Sequence, residues 1–512
     1  VTEQHPRTRL AWRRTLVLLT QLVLVAAIAA GALSPIHAAA AQSGGTGPND
    51  DITDVTGIQV GNYTNTQAMT GTTVVYATNR ATGGVDVRSG TPITRETDLL
   101  NPVNEVQHLN AVLLTGGGDY GLAAGPGVMQ YLEDHNTGYP VGATPDQVVP
   151  IVPGAAINDL GRSGHFDVRP DASYGNAAIT AAAGGPIPQG NVGAGAGAMA
   201  GSLKGGLGSA SEQVISSQTG QPIGMVGVLV VVNSVGTPVD TSNGCRLLGA
   251  EYGLSSDFPG YSKPSAGCGD YAPLGPPSSG PLLNQGGVIG VVATDINLDK
   301  ALTEKMAQVS QDGITRAVNP AHTMFDGDVM FGMSTGTVTP AVGSIPDCIH
   351  AEVSLSDIGC LLVMNDILAA AHDATSRAIA YAMLDARTVP GMAMSYCGQF
   401  PGACTAAMSG TAGAGTAPSH AVGGALRLPT ISAPVNGAVP PAPSAPSVIP
   451  RLPSKLGLAA AVARVSVGFD VLLGFAGLLL PLAVAALGER LGWKPPRRRR
   501  RRPALSAPGE ER

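Results

Sequence analysis

The sequence predicts a layered domain in which helices cover β-sheet, of the α/β or α+β class. Three observations carry that expectation. From Asp51 to about Leu384, short β-branched runs alternate with helical patterns. Some runs are continuously apolar, as in the stretch GMVGVLVVVN from Gly224 to Asn233, which is the pattern of strands buried on both faces. Charged residues are only 13% of the 512 and aromatics 4%, with 69 glycines and 40 prolines, so small side chains and tight turns dominate the packing.

The N-terminal segment, 1–42, has basic residues Arg7, Arg9, Arg13 and Arg14, an apolar run from Leu16 to Leu33 and a small-residue end. This is the order of a secretory signal; the apolar run is also long enough for an uncleaved anchor. The domain follows over 43–400. Strands are expected at Gly71–Tyr76, Ala111–Thr115, Gly224–Asn233 and Val288–Thr294. Helices are expected at Gly121–Asp134, at Asp299–Val318 with Leu302, Met306 and Val309 facing inward, and at Leu361–Ala386 with Ile367, Ala371, Ala374, Ala378 and Ala382 on one face. Two cysteine-bearing stretches, about 237–283 and 337–360, read as insertions. Residues 401–455, rich in Ala, Pro, Gly and Ser with almost no charge, read as a spacer that buries no core. Within 456–490, Val465 to Gly488 is long and apolar enough to span a bilayer. The tail 491–512 carries Lys494 and Arg497 to Arg502, which mark the cytoplasmic side. The expected location is therefore the cell membrane, crossed once (twice if the signal stays), with the domain outside.

Charge is segregated. Residues 1–42 and 456–512 hold 14 of the 30 Lys/Arg and 5 of the 36 Asp/Glu, leaving 16 against 31, a net of −15, in the middle. An acidic body excludes a nucleic-acid partner, which needs a positive surface. The six cysteines all fall in the exported part, where disulfides persist. None forms a C-x-x-C pair, so zinc is a poor reading, and no cofactor or metal is expected. Spacing favours bridges 245–268, 348–360 and 397–404 among fifteen connectivities.

Three motifs invite chemistry. The run GNVGAGAGAMAGSLKGGLG, Gly190–Gly208, is no phosphate loop, because Lys204 is followed by Gly. Its ordinary reading is close backbone approach, with Lys204 on a tight turn. Phe325-Asp-Gly-Asp-Val329 places Asp326 and Asp328 on a turn that reads as exposed and does not continue into a calcium loop. Asn233 ends an apolar strand, where its amide either satisfies a turn or serves a site.

Together, segments including GIQVGNYT, RSGTPITRETDLL, LLTGGGDYGLAAGPGVMQYLE, VPIVPGAAINDLG, VLVVVNSVG, GVIGVVATD and VNPAHTMFDGDVMFGMSTG, with the glycine run, resemble the L-aminopeptidase/D-esterase family from about Asp51 to Gly336. That family includes β-peptidyl aminopeptidases and nylon-oligomer hydrolases, and the likeness is closer to the latter. It implies an α+β fold, a four-layer α-β-β-α sandwich, that cuts its own chain to expose an N-terminal Ser or Thr nucleophile whose freed amine is the base. It implies Asn233 as the oxyanion or orienting amide, Lys204 as a charged helper, and Asp326 and Asp328 as carboxylates holding nucleophile and amine. The nucleophile position falls on Gly287, preceded by Gly286, and glycine has no hydroxyl. Ser278 and Ser279 are in the wrong loop, and Thr294 lies deep in the strand. Loss of the nucleophile alone costs roughly 10⁶ in turnover in serine hydrolases. Asp119, where relatives have a small residue, is expected to reshape the pocket wall. The expectation is an uncleaved, inactive homologue that binds a peptide or amine-bearing ligand or acts as a scaffold. The alternative is an active amidase or aminopeptidase in which water, activated by Asp326 or Asp328, attacks. A homo-oligomer is compatible with either.

Overall fold

The computed structural model describes residues 44–273, 286–340, 345–350 and 358–405. The expected signal, membrane segment, tail and nearly all of the spacer lie outside them. No helix among the described residues is long and apolar enough to cross a membrane.

The fold is carried by strands β1 (Ile58–Asn65), β2 (Thr70–Val87), β3 (His108–Thr115), β4 (Leu207–Ile215), β5 (Pro222–Asn233), β6 (Gly287–Ile296) and β7 (Val329–Val338). Helices α1 (Gly125–Asp134), α2 (Ala172–Thr180), α3 (Lys300–Ala317) and α4 (Gly359–Asp385) cover them. Hydrogen bonding runs β4-β5-β6-β7-β2-β3 and on to the short strands Gly154–Ala156 and Thr94–Arg95, with β1 also on β2. The long β2 lies in the middle of this one continuous sheet. Its residues 70–77 pair with β1 and 82–87 with β7, and its register with β3 shifts between Tyr76 and Ala81. β6 and β7 are parallel, joined by α3 as the crossover.

Strand alternation sorts side chains into three cores, and hence four layers. Val226, Val228, Val230 and Val232 of β5, with Val288 and Val292 of β6, pack against Met306 and Ile314 of α3 and Ile367, Ala374 and Ala378 of α4. The intervening Leu229, Val231, Ile289 and Val291 face the other sheet, where Val75, Val112 and Leu114 meet them. On the far side Val74, Ala111 and Leu113 pack against Val128 and Leu132 of α1 and Ala178 and Ile179 of α2. The order is helices, sheet, sheet, helices, with every residue of β6 buried.

The helices differ from expectation in detail. α1 starts at Gly125, not Gly121, because left-handed Gly117 and Gly118 (φ +83° and +58°) first turn the chain through a separate short helix. α3 is capped by the Asp299 carboxylate, which accepts from the Leu302 N–H (2.9 Å). Its inward stripe includes Leu302 and Met306 but continues through Ser310, Gly313 and Ile314; Val309 is only half-buried. The alanine face of α4 is buried as expected.

The first cysteine-bearing insertion interlocks with the stretch after α4. Cys245–Cys268 and Cys397–Cys404 are disulfides as expected; Cys360 is also disulfide-bonded, and its partner lies outside the described side chains. Tyr396 donates to the Cys245 carbonyl (2.8 Å), Ser262 N–H to Ala403 O (2.8 Å), and Thr405 N–H to Gly260 O (3.1 Å).

Candidate functional site

The end of β5, the start of β6 and the turn before β7 meet at one edge of the inner layers. Asn233 and Gly287 are register partners, so the strand pairing alone sets the amide beside the glycine. The turn before β7 is tied to this point by its backbone. Gly286 N–H donates to Phe325 O (2.8 Å), and Gly327 N–H donates to Gly286 O (3.1 Å).

The two aspartates of that turn are not exposed, contrary to the ordinary reading of an Asp-Gly turn: each is 1% accessible. Asp326 Oδ1 accepts from Val235 N–H (3.0 Å), and Oδ2 from the Thr323 hydroxyl (2.6 Å) and N–H (3.3 Å). Burial nevertheless raises its pKa above the usual carboxylate value, against those hydrogen bonds. Asp328 Oδ1 accepts from Val288 N–H (2.6 Å). Its Oδ2 takes the Ser89 hydroxyl (2.7 Å), His322 N–H (3.0 Å) and His322 Nδ1 (2.8 Å). A carboxylate offers about four acceptor positions, so Asp328 is saturated and orients its neighbours instead of taking a proton from water. The imidazole so held has its other nitrogen, Nε2, buried without a partner.

Lys204 is wholly buried on a two-residue strand, Leu203–Lys204, in the glycine run. Its Nζ donates to Gly205 O (2.6 Å) and Gly195 O (3.1 Å), carbonyls that glycine lets approach closely. Burial, then the Arg162 charge, lower its pKa to about 7, and Asp159 opposes them. Arg162 Nη1 donates to Asn233 Oδ1 (2.5 Å) and Gly197 O (3.0 Å), and burial lowers it to about 10. Asn233 Oδ1 also accepts Met199 N–H (3.1 Å), while its Nδ2 is buried with no partner. Asp159, raised mainly by burial, accepts Gly117 N–H (2.6 Å) and lies beside the Thr70 hydroxyl.

The predicted residues are thus brought together as two groups, Asp326 with Asp328 and Lys204 with Asn233, joined by the Asn233–Gly287 pairing. Sequence reasoning missed Asp159, Ser89 and His322, although each lies in a segment that carries the resemblance, and Arg162, which directly follows one. Asp119 is exposed and is not part of a buried wall. Thr294 donates to Met225 O (2.8 Å) from within β6 and is no substitute nucleophile.

Gly287 has a backbone that only glycine adopts readily, φ +139°. A β-carbon there would lie 2.7 Å from Gly327 N and 3.0 Å from Gly327 Cα. The position is more than a serine or threonine stripped of its hydroxyl. Among the described residues no group of three His, Cys, Asp or Glu could hold a metal.

The profile of peptidase family S58 matches residues 50–396. An uncharacterized aminopeptidase of Mycobacterium leprae is 42% identical over 372 residues, covering 70% of this chain and 96% of its own. The 6-aminohexanoate-oligomer endohydrolase of Paenarthrobacter ureafaciens is 27% identical over 291 residues, covering 56% and 75%. Among solved structures, a Burkholderia β-aminopeptidase superposes with a TM-score of 0.48 at 20% identity, covering 70% of this chain and 95% of its own. Overall identity is higher to the mycobacterial aminopeptidase than to the nylon-oligomer enzyme.

Proposed function

The chain belongs to peptidase family S58, and on that premise we propose that it is a member that stays uncleaved, forms no acyl-enzyme, and binds a peptide or small amine-bearing ligand. The observation that carries the reading is Gly287, where the hydroxyl is missing and the Gly327 backbone fills the space of a β-carbon. Threonine placed there alone does not rebuild a nucleophile. What survives is a polar end suited to recognition: the Asn233 amide donor, buried cations and carboxylates. The basic and apolar ends support a domain held outside the cell membrane by the C-terminal segment.

The test uses full-length protein in detergent. On a reducing denaturing gel it should run as one chain consistent with 51.4 kDa, less any removed signal. Calorimetric titration should show binding of a β-alanyl amide with a free amine and much weaker binding of its N-acetylated form. Two fragments divided at the 286–287 bond would overturn the uncleaved reading, and equal or absent binding of both ligands the recognition reading.

A further inference from the structure

A cavity of ≈ 340 Å³ opens where β2 leaves its ladder with β3. The register between the two strands shifts between Tyr76 and Ala81, and within the shift Arg80 has a left-handed backbone, φ +55°. The walls include Arg80, Glu105, His108 and Asn110 from the start of β3, and Tyr139-Pro140 beyond α1. From this cavity β3 runs to Thr115, two residues before the Gly117 that binds Asp159. At about 3.3 Å per residue the two places lie roughly 20 Å apart. β2 likewise runs on from Thr82 to Val87 before it meets the start of β7, next to Asp328.

The charges of the cavity are not spent on each other. Among the described residues Arg80, which is exposed, forms no hydrogen bond or ion pair, although Glu105 lines the same cavity. Glu105 Oε1 accepts the Tyr139 hydroxyl (2.5 Å), which holds the carboxylate in place. Asn110 is only 7% accessible, and its Oδ1 accepts Ile151 N–H (2.9 Å), which leaves its Nδ2 as a donor. Burial, then the Arg80 charge, lower the pKa of His108 and keep it neutral; its Nδ1 is buried without a partner. The lining therefore carries one cation, one carboxylate and no net charge.

We propose that this cavity is a second ligand site, for a free α-amino acid with an apolar side chain, bound as the zwitterion. The carboxylate lies on the Arg80 guanidinium and the Asn110 amide, the ammonium on Glu105, and the side chain against Tyr139 and Pro140. A phosphate would meet Glu105 and a polyamine would meet Arg80, so the paired charges select against both. The volume is at the small end for ligand pockets, which suits a single residue. The site stands apart from Gly287, and its occupancy does not depend on the ligand proposed there.

Full-length protein in detergent is titrated calorimetrically with L-leucine, L-leucinamide and N-acetyl-L-leucine, with β-alanyl amide present at saturation to fill the Gly287 end. L-Leucine should bind, and the two analogues, each lacking one charge, should bind at least about tenfold more weakly. Arg80→Gly, which suits the left-handed backbone, and Glu105→Gln, which keeps an acceptor for Tyr139, should each weaken L-leucine by a similar factor. Omitting the β-alanyl amide should leave the affinity for L-leucine unchanged. No binding of L-leucine, equal binding of either analogue, full affinity in either variant, or displacement by β-alanyl amide would each overturn the site. L-Leucine binding in a protein that does not bind β-alanyl amide supports this site and removes only the ligand reading at Gly287.

Discussion

Lys204 sits where water does not reach, and its proton reports on the whole buried cluster. In the unfolded chain it has an ordinary pKa of 10.5; in the fold, burial and Arg162 lower it to about 7. Between those values the unfolded state binds a proton that the folded state does not, so stability from this group rises with pH across that window. Below about pH 7 both states are protonated and the burial cost is at its full size. Lys204→Met removes the proton from both states. In urea titrations at several pH values, wild type should therefore gain stability relative to the variant as pH rises from 7 towards 10.5. A flat or opposite trend would mean the ammonium is not desolvated. Lys204 could be singled out from its glycine neighbours, and Asn233, Asp326 and Asp328 from their motifs. Asp159, Arg162 and His322 could not. The stretch Asn158-Asp-Leu-Gly-Arg162 reads as a polar turn, and its burial comes from Gly117 and Gly197, some 40 residues away on either side. His322 needs its partner six residues on, and spacing alone does not say that the loop folds back.

Among the elements, β5 and β6 are legible because both faces are apolar. β4 is not, since Ser209, Ser211 and Glu212 interrupt its pattern. These residues are buried because the ladder edge is covered: Ser209 donates to Val228 O (2.6 Å) and accepts Ile52 N–H (2.9 Å). The alanine face of α4 has its counterpart in Gly208 of β4. A β-carbon there would collide with the Ala378 carbonyl and meet Ala382 N at 2.5 Å. Gly208→Ala should thus destabilise by about 1–3 kcal/mol, because helix and strand must separate. A denaturation midpoint equal to wild type would refute this close packing of α4 on β4.

For the whole molecule, Arg377 of α4 is the junction. It is fully buried and donates to Asp257 (Nε–Oδ2, 2.5 Å), Asp50 (Nη2–Oδ1, 2.7 Å) and Ser211 O (Nη1, 2.8 Å). One guanidinium therefore gathers the stretch ahead of β1, β4 and the first cysteine-bearing insertion onto one helix. Arg377→Met leaves buried carboxylates without their cation and should cost about 3–5 kcal/mol. Limited proteolysis should then cut first within 237–273, and a digestion pattern like wild type would refute the junction role. None of this was visible beforehand, because Asp50, Asp257 and Arg377 are far apart in the chain and unremarkable where they stand.

The clasp between the first insertion and the stretch after α4 also decides how the domain carries force. Thr405 is held to Gly260, and one residue earlier Cys404 is bonded to Cys397. A pull applied beyond Thr405 is met first by the covalent loop from Cys397 to Cys404. Tyr396, the residue just before the loop, passes load to the insertion through Cys245 and its bridge to Cys268. The β-sandwich lies behind two covalent clasps, so tension on this side strains the trim before it shears the strands.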